Sequence, residues 1–575
     1  MQRSHGHENC ALRLVAALVV GCLLHAGCGE VVGDGGTPGG DDGDDEPKDE
    51  PGARFEATAT RWTLPSGGTA IASFPALARQ NEFENVGDEY WVTTDITGDR
   101  IPDLVVTTVI RDVQGTEDVE DIFDETYGYP AQPSWRVYPG SRSGFATSPM
   151  TWSLPNGGRI ARGYFRAQNQ TGAERQKNGD SVFNKLGDEA WVLRDLDGDG
   201  KPDLVVTGVA TELVMLGYVF RVNGFGTAPY WNVYRNTGSG FSTSAMKWPV
   251  PNVPADDFSG LSTASSSVIA VYKQALWQLE DMDGDGKPDL VVSAIVDQPM
   301  AGSPRARVPG FPSAPHWNVY LNTGTGFAAN ATSFALPQQR GTSAQGAFLL
   351  SGAGTGDGDN AWATLDINAD KRPDLVVTGA MLNQAMKAPG YPGDAHWEVY
   401  LNSGTGFGPL TAWPVPRGGD GAGGFNAIAA AGRNVAGDDA WSLQDLHGDR
   451  LPDLVVTGEF SAGTSQGVYQ FGRLANEPHW QVYRNTGAGF EPQPVRWDVT
   501  MGGLQPFGLN TTSGGGQKIG DQSWNLVDLD GDAQPELAIV ADLIERPDSP
   551  GFGFTLPIAP GHPGNGAWLV FRNVP

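Results

Sequence analysis

Alternating hydrophobic and polar residues recur along the chain in six similar segments, each built around a tryptophan and an aspartate-rich stretch. In the second segment, Trp191 lies in an alternating run that leads to Asp195-Leu-Asp-Gly-Asp-Gly-Lys-Pro-Asp203 and then to Leu-Val-Val-Thr. Self-similarity at a regular period predicts a protein built from repeated supersecondary units. Consecutive copies lie 79 to 100 residues apart, because their first aspartates are Asp95, Asp195, Asp281, Asp366, Asp445 and Asp528.

Each repeat predicts four β-strands, here named a to d. Alternation around the first tryptophan gives strand a, and the β-branched run after the aspartates gives strand b. Strand c is a Trp-x-Val-Tyr segment, as at Trp231, and an Asn-Thr-Gly-x-Gly turn leads into strand d, which we expect to run from Phe241 to Trp248. Four-stranded sheets repeated in this way are typical of β-propeller blades, so the sequence predicts an all-β fold.

The two ends of the pattern predict how the ring closes. Trp568 to Asn573 resembles a strand c with no strand d after it, and Phe55 to Pro65 resembles a strand d with no blade before it. Pairing the two would cover the sheet edges that an open ring exposes. We therefore expect residues 53–575 to form a six-bladed β-propeller with four-stranded blades, in which the N-terminal strand completes the last blade.

The aspartate-rich stretches, named the acidic loops below, offer oxygen atoms at alternate positions. Side-chain oxygens at positions 1, 3, 5 and 9, with the backbone carbonyl of position 7, resemble the ligands of an EF-hand loop, and Ca²⁺ binds six to eight such hard oxygens. A single loop of this kind could instead be an Asp-Gly turn that caps its own backbone. Six aligned copies favour metal binding, so the predicted cofactor is structural Ca²⁺, with up to six ions.

The six acidic loops differ in how completely they offer these oxygens. Thr97 and Asn368 place a neutral oxygen at position 3 of the first and fourth loops, and His447 places none at position 3 of the fifth. We therefore expect the fifth loop to bind calcium most weakly. The predicted ligands are, loop by loop, Asp95, Thr97, Asp99, Ile101 and Asp103; Asp195, Asp197, Asp199, Lys201 and Asp203; Asp281, Asp283, Asp285, Lys287 and Asp289; Asp366, Asn368, Asp370, Arg372 and Asp374; Asp445, Asp449, Leu451 and Asp453; and Asp528, Asp530, Asp532, Gln534 and Glu536.

With these loops followed by Leu-Val-Val, the repeats resemble the FG-GAP or VCBS repeats of integrin α-subunit propellers and many bacterial surface proteins. The resemblance covers nearly all of residues 53–575 in six copies. It implies a calcium-binding β-propeller at a cell surface. These repeats are longer than the usual FG-GAP unit, and that family is best known for seven blades, so seven blades are the alternative.

The N-terminal segment resembles a bacterial lipoprotein signal peptide. Arg3 and Arg13 flank the apolar run from Leu14 to Leu24, which is too short for a membrane-spanning helix. We expect residues 1–27 to be the signal peptide and Cys28 to be lipidated; Cys22, or an ordinary cleaved signal, is the alternative. All three cysteines of the chain lie in this segment, so the domain after it forms no internal disulfide.

Residues 28–52 are predicted to be a tether, because Gly, Asp, Glu and Pro dominate them and such segments bury too little apolar surface to fold. We expect an exported protein, lipid-anchored to the cell envelope and most plausibly to the outer membrane. Its membrane contact would be the lipid anchor alone. The formal net charge of −29 excludes nucleic acid as an expected partner, since phosphate binding needs clustered Lys and Arg.

The topology predicts that the a–b and c–d connections emerge on one face of the ring and the b–c and d–a connections on the other. The second face has long loops that differ among repeats, so we expect the ligand there. Its recurring candidates are aromatic or His residues: Tyr129, Phe225, Tyr230, Phe311, His316, Tyr391, His396, Phe471, His479 and Phe552. Alternatively, these rings pack adjacent blades together and the His side chains cap backbone carbonyls.

Three functions are compatible with this pattern. The first is a binding or adhesion module for a glycan or protein ligand. The second is a carbohydrate-active lyase or hydrolase, but no His-Glu-x-x-His motif is found in the chain, so the sequence favours a non-enzymatic protein. The third is a scaffold subunit of an envelope complex.

Overall fold

The computed structural model describes residues 54–574 with gaps, the longest of which are 113–121, 165–185, 259–274, 297–305, 338–351, 427–438, 471–478, 500–519 and 546–554. The described residues form an all-β protein. They contain no helix long and apolar enough to cross a membrane.

The strands follow the repeats of the sequence. Two short strands, β1 (Arg54–Phe55) and β2 (Thr60–Thr63), precede the first blade. The first blade has β3 (Glu89–Thr94), β4 (Asp103–Asp112), β5 (Ile122–Thr126), β6 (Ser134–Tyr138) and β7 (Met150–Ser153). After the ribbon of β8 (Arg159–Ile160) and β9 (Gly163–Tyr164), the second blade has β10 (Glu189–Arg194), β11 (Asp203–Val214), β12 (Gly217–Arg221), β13 (Tyr230–Tyr234) and β14 (Met246–Pro249).

The remaining four blades repeat this order. The third has β15 (Ala275–Glu280), β16 (Asp289–Val296), β17 (Ala306–Arg307), β18 (His316–Tyr320) and β19 (Thr332–Ala335). The fourth has β20 (Gly352–Ala353), β21 (Asn360–Leu365), β22 (Asp374–Leu382), β23 (Ala385–Lys387), β24 (His396–Asn402) and β25 (Phe407–Pro414). The fifth has β26 (Asp439–Gln444), β27 (Asp453–Ser461), β28 (Val468–Gln470), β29 (His479–Tyr483) and β30 (Val495–Asp498). The sixth has β31 (Gln522–Val527), β32 (Glu536–Glu545), β33 (Thr555–Ile558), β34 (Ala567–Phe571) and β35 (Asn573–Val574).

Each blade is an antiparallel sheet in the order a-b-c-d, as in β3-β4-β6-β7 of the first blade. In every a–b pair the register shifts at the residue before the strand-a tryptophan, for example between Ala190 and Trp191. A bulge of this kind redirects the side chain that follows it. In the first, second, third and fifth blades strand d is shorter than the sequence predicted: β14, for example, begins at Met246 rather than at Phe241, which forms only an isolated bridge with Asn236. In the fourth blade β25 begins at Phe407, as predicted.

The core consists of six hydrophobic clusters, each between two neighbouring blades. In each of five clusters the strand-c tryptophan of one blade packs against the strand-a tryptophan of the next, with ring centroids 5.7 to 5.9 Å apart. The remaining cluster joins Trp62 and Trp568 of the sixth blade to Trp91 of the first. Six blades joined by six interfaces confirm the closed six-bladed β-propeller.

The N-terminal segment closes the ring as predicted. Strand β2 is the outer strand of the sixth blade, with Trp62 opposite Trp568. The sequence missed the role of β1, which pairs with both β30 of the fifth blade and β35 of the sixth. Phe55 packs on Trp480 with ring centroids 5.4 Å apart, as the turn phenylalanine Phe241 packs on Trp135 at 5.5 Å. Phe55 therefore replaces the phenylalanine of the c–d turn in the sixth blade.

Candidate metal centres and the opposite face

All six acidic loops have one backbone shape, set by the aspartate at position 1. In the second loop, Asp195 Oδ1 accepts hydrogen bonds from the N–H groups of Gly198 (2.8 Å) and Asp199 (3.2 Å), and Oδ2 accepts one from Gly200 (2.8 Å). The fifth loop has the same three bonds, although its position 6 is Arg450. Position 6 has a positive φ in each loop, including the non-glycine residues Arg100, Lys371, Arg450 and Ala533. Non-glycine residues held in this strained region often mark functional sites.

The acid at position 9 begins strand b and is buried. Asp203 is 1% exposed, and its Oδ1 accepts the N–H of Asn236 at 2.9 Å. Burial raises the pKa of Asp203, Asp289 and Asp374 to about 7 and that of Glu536 to about 8. A buried carboxylate without a cation is costly, and its pKa rises because the neutral form is preferred.

Several oxygens at the predicted ligand positions have no hydrogen-bond partner among the described residues. They are Asp203 Oδ2 and Asp374 Oδ2 at position 9, and Thr97 Oγ1 and Asp530 Oδ1 at position 3, all buried. Buried polar atoms are nearly always paired, so a group of orphans at equivalent positions indicates a missing partner. A cation would be such a partner.

Three of the loops bring three acidic groups together. In the second, third and sixth loops one oxygen from each of three acids lies within 4.8 Å of the others, the groups being Asp195, Asp197 and Asp199; Asp281, Asp283 and Asp285; and Asp528, Asp530 and Glu536. Burial and neighbouring carboxylates raise the pKa of Asp283 and Asp530. A set of carboxylate and hydroxyl oxygens without sulfur suits a hard cation such as Ca²⁺.

Position 7 has a side-chain role that the sequence analysis missed. Lys201 Nζ lies 2.9 Å from Asp199 Oδ2 of its own loop, and its side chain also covers Gly98 of the preceding loop, where a Cβ would lie 2.5 Å from Lys201 Cγ. Lys287 covers Gly198 and Arg372 covers Gly284 in the same way. The glycine at position 4 thus lets five of the six loops contact the next one around the ring, whereas position 4 of the fourth loop is Ala369. The recurring pair of Gly at position 4 and a long side chain at position 7 was the available signal.

The Asn-Thr-Gly turns also link neighbouring loops. The backbone N–H of Asn322 donates to Asp289 Oδ1 (2.7 Å), and its side-chain Nδ2 donates to the carbonyl of Leu196 in the preceding loop (2.8 Å). The equivalent bonds to the preceding loop are made by Asn236 to Ile96, Asn402 to Met282, Asn485 to Ile367 and Asn573 to Leu446. In the first blade the equivalent residue is Gly140, whose backbone N–H donates to Asp103 Oδ1 but which has no side chain to reach the preceding loop. The sequence predicted only tight turns here, although the recurrence of Asn before Thr-Gly or Ser-Gly was visible.

On the opposite face, which we call the variable face, the b–c connections end in a recurring tight turn. Tyr129, Phe311 and Tyr391 each follow a glycine with positive φ and precede a cis proline. In the sixth blade this turn is Gly561-His562-Pro563, so His562 is the residue that the sequence analysis missed there. Phe552, which it assigned to this blade, and Phe471 lie outside the described residues.

In the second blade a positively charged side chain lies over the ring of each aromatic candidate. The Arg221 guanidinium lies 4.7 Å from the ring centroid of Phe225, and Lys247 Nζ lies 4.5 Å from that of Tyr230. Phe225 is 41% exposed. Aromatic rings with adjacent cations offer both stacking and charge to a ligand.

The histidine candidates are engaged with the protein. Nδ1 of His316 lies 2.9 Å from the Ala314 carbonyl, and Nδ1 of His396 lies 2.8 Å from the Asp394 carbonyl. His479 is buried. The geometry of His316 and His396 is that of the alternative in which the His side chain caps a backbone carbonyl.

One group of titratable side chains on the variable face could suggest acid–base chemistry. Glu89 accepts a hydrogen bond from the Tyr127 hydroxyl, lies 3.5 Å from Arg136 Nη1, and accepts the Gly68 N–H at 2.7 Å. Burial and the Glu89 charge raise the pKa of Tyr127 far above its ordinary value. Through these bonds the Glu89 carboxylate joins Tyr127 and Arg136 to the loop at Gly68.

No protein-family model and no curated protein sequence matches this chain. Among solved structures, a Tc holotoxin pore of Photorhabdus luminescens is similar at 16% identity and a TM-score of 0.35, over 90% of this chain and 15% of that one. A lectin of Agrocybe aegerita that recognises non-reducing terminal N-acetylglucosamine is similar at 18% identity and a TM-score of 0.37, over 87% and 89% of the two chains. A rhamnogalacturonan lyase of Bacillus licheniformis is similar at 12% identity and a TM-score of 0.25, over 84% and 73%. Likenesses this distant assign no activity to the chain.

Proposed function

We propose that this chain is a calcium-stabilised β-propeller of the FG-GAP or VCBS type that serves as a binding or adhesion module of the cell envelope, with a glycan or protein ligand. The observation that carries the proposal is the difference between the two faces. One face repeats the same acidic loop six times, and in every copy the position-1 carboxylate accepts the N–H of position 6 and the position-5 carboxylate accepts that of position 7. The other face carries connections that differ among blades. Fixed loops suit a structural role, and variable loops on a rigid scaffold suit recognition.

The proposed role of calcium is to stabilise the loop face. The residues at positions 1, 3, 5 and 9, with the position-7 carbonyl, would hold the ion, and bound Ca²⁺ would supply the positive charge that lets the buried position-9 acids ionise. The orphan oxygens of Asp203, Asp374, Asp530 and Thr97 support this assignment. Because Asn and position-7 side chains connect consecutive loops, an ion in one loop also supports its neighbours.

The proposed ligand site is the variable face, with the exposed ring of Phe225 and the half-buried ring of Tyr230 as its first contacts. Phe225 and Tyr230 in the second blade, with Arg221 and Lys247 beside them, combine a ring face with a cation. Sugar rings stack on aromatic faces, and Arg and Lys bind acidic groups, so an acidic glycan or an acidic protein segment fits this chemistry.

The proposed anchor places the variable face away from the membrane. A signal peptide of residues 1–27, a lipidated Cys28 and a tether of residues 28–52 would precede Arg54, and the lipid would lie in the outer membrane. Arg54 pairs with Val574 beside Asn573, whose side chain bonds to the fifth acidic loop. A tether that ends before Arg54 would therefore reach the propeller on the loop face.

Ligand binding can be tested with the full chain, in calcium, on arrays of glycans and on candidate envelope proteins, with any bound polysaccharide then assayed for cleavage. We expect binding without turnover. The double variant Phe225→Ala/Tyr230→Ala should weaken binding at least tenfold, whereas Thr325→Ala on the loop face should leave it unchanged. Cleavage of a bound polysaccharide would show that the protein is an enzyme and not only a binding module. Binding lost in Thr325→Ala but kept in the double variant would contradict the choice of face.

A further inference from the structure

We infer that His447 takes the place of calcium in the fifth acidic loop, so that this loop is closed by a side chain and binds no ion. The inference rests on the calcium proposal for the other loops. It begins from the backbone of the fifth loop, which is that of its neighbours: Asp445 accepts the N–H groups of Gly448, Asp449 and Arg450 at 2.8, 3.1 and 2.7 Å. The loop is therefore formed, and what differs is the group inside it.

The imidazole of His447 uses the oxygen that an ion would use. Its Nδ1 donates to Asp453 Oδ2 at 2.7 Å. The equivalent oxygens in the second and fourth loops, Asp203 Oδ2 and Asp374 Oδ2, are buried and have no hydrogen-bond partner among the described residues. The Leu446 N–H also donates to Asp453 Oδ2, at 3.2 Å, as the corresponding backbone N–H does in the first, third and sixth loops. His447 thus adds a side-chain donor inside the fifth loop, at an oxygen that the second and fourth loops leave unpaired.

The ring is also held in place from the other side. His447 has a side chain only 11% exposed, and its ring packs edge-on against the fully buried Trp497, with centroids 5.4 Å apart at 82°. A calcium ion in this loop would have to displace a packed ring and would gain no oxygen at position 3. Imidazole nitrogen is a poor ligand for this hard cation, which selects oxygen.

The fifth loop also contacts the C-terminal end of the chain. The carbonyl of Leu446 at position 2 accepts the side-chain N–H of Asn573 at 2.9 Å, next to the pairing of β35 with β1. The loop that Asn573 contacts would therefore keep its shape without an ion, so that this link between the fifth loop and the C-terminal strand β35 does not depend on calcium in the fifth loop.

The test is the number of calcium ions bound per full chain, measured by metal analysis after equilibration in calcium. His447→Asp restores the acid found at position 3 of the second, third and sixth loops and should add one ion per chain. The reciprocal variant Asp197→His, which gives the second loop the pattern of the fifth, should bind one ion fewer than the unaltered chain. His447→Asn, which copies the fourth loop, provides a second gain-of-ion variant if His447→Asp folds poorly.

The melting temperature distinguishes a loop that is closed by its own side chain from a loop that binds an ion weakly. His447→Ala should lower the melting temperature in saturating calcium without changing the number of bound ions, because it removes the imidazole and adds no ligand. An unchanged ion count in both His447→Asp and His447→Asn, or the loss of an ion in His447→Ala, would overturn the inference while leaving the other loops as calcium sites. Absence of calcium from every variant would instead overturn the calcium proposal itself.

Discussion

At the scale of single residues, the position-9 acids connect the loops to the rest of the blade. Asp203, Asp289 and Asp374 are buried at the first position of strand b and accept a hydrogen bond from the backbone N–H of the asparagine at the c–d turn. Burial raises their pKa to about 7, against an ordinary value of 3.8. Without a cation these carboxyls favour the protonated form in the folded state, and a bound ion would reverse that preference.

This gives a pH dependence with a definite sign. Because the folded chain without calcium holds these protons more tightly than the unfolded chain, the stability they contribute is fully present below about pH 4 and is lost as the pH rises through about 7. The melting temperature of calcium-stripped protein should therefore fall between pH 5 and pH 8. With saturating calcium the stabilisation by the ion should grow over the same interval, since ion binding needs the ionised form. Thermal unfolding at both pH values checks this, and a stripped protein that becomes more stable at pH 8 contradicts it.

The asparagine links can be tested at the same scale. Asn322→Ala removes the side-chain N–H that bonds to the carbonyls of Leu196 and Pro288 and leaves both without this partner. We expect the free energy of unfolding to fall by about 1–3 kcal/mol, measured by urea unfolding in calcium. Asn252→Ala, at an exposed asparagine, is the matched control and should change it by less than about 0.5 kcal/mol. Equal effects of the two substitutions would show that the link contributes nothing.

At the scale of elements, local patterns and contacts between blades were not equally predictable. The alternation around Trp191 and the β-branched run after Asp203 predicted strands a and b, because both depend on residues close in sequence. The bond from Asn322 to Leu196 spans 126 residues, and the packing of Lys201 on Gly98 depends on the rotation from one blade to the next. His562 was missed because it is a histidine at the position where the equivalent turns have tyrosine or phenylalanine. Only the Gly-x-Pro pattern around it identifies the turn.

The closing segment gives a prediction for one element. Phe55 is 2% exposed and packs edge-on against Trp480 and Trp497, with ring centroids 5.4 and 6.3 Å away. Phe55→Ala should lower the free energy of unfolding by about 3–5 kcal/mol, since it leaves a cavity at the interface of the fifth and sixth blades. Phe225→Ala, at a phenylalanine exposed on the variable face, is the control and should have little effect. Denaturant unfolding compares them; a small loss for Phe55→Ala would mean that β2 alone closes the ring.

At the scale of the whole molecule, the fold was more predictable from the sequence than the state of each candidate metal site. Six repeats, with a strand c at one end and a strand d at the other, predicted the six-bladed ring and its closure, which the structure confirms. The repeats also predicted which oxygen atoms each acidic loop would offer as metal ligands. They could not distinguish an open loop from one closed by its own side chain, because the position of the His447 ring depends on Asp453 and Trp497 together.

The measurement that tests the central claim most directly is thermal unfolding of the full chain with 2 mM calcium and after complete removal of calcium, together with metal analysis of the same samples. The account predicts several calcium ions per chain and a large fall in melting temperature when they are removed, because the buried acids of the loops then lack their counter-ion. Protein that holds no calcium at saturation and melts at the same temperature in both conditions would contradict the account.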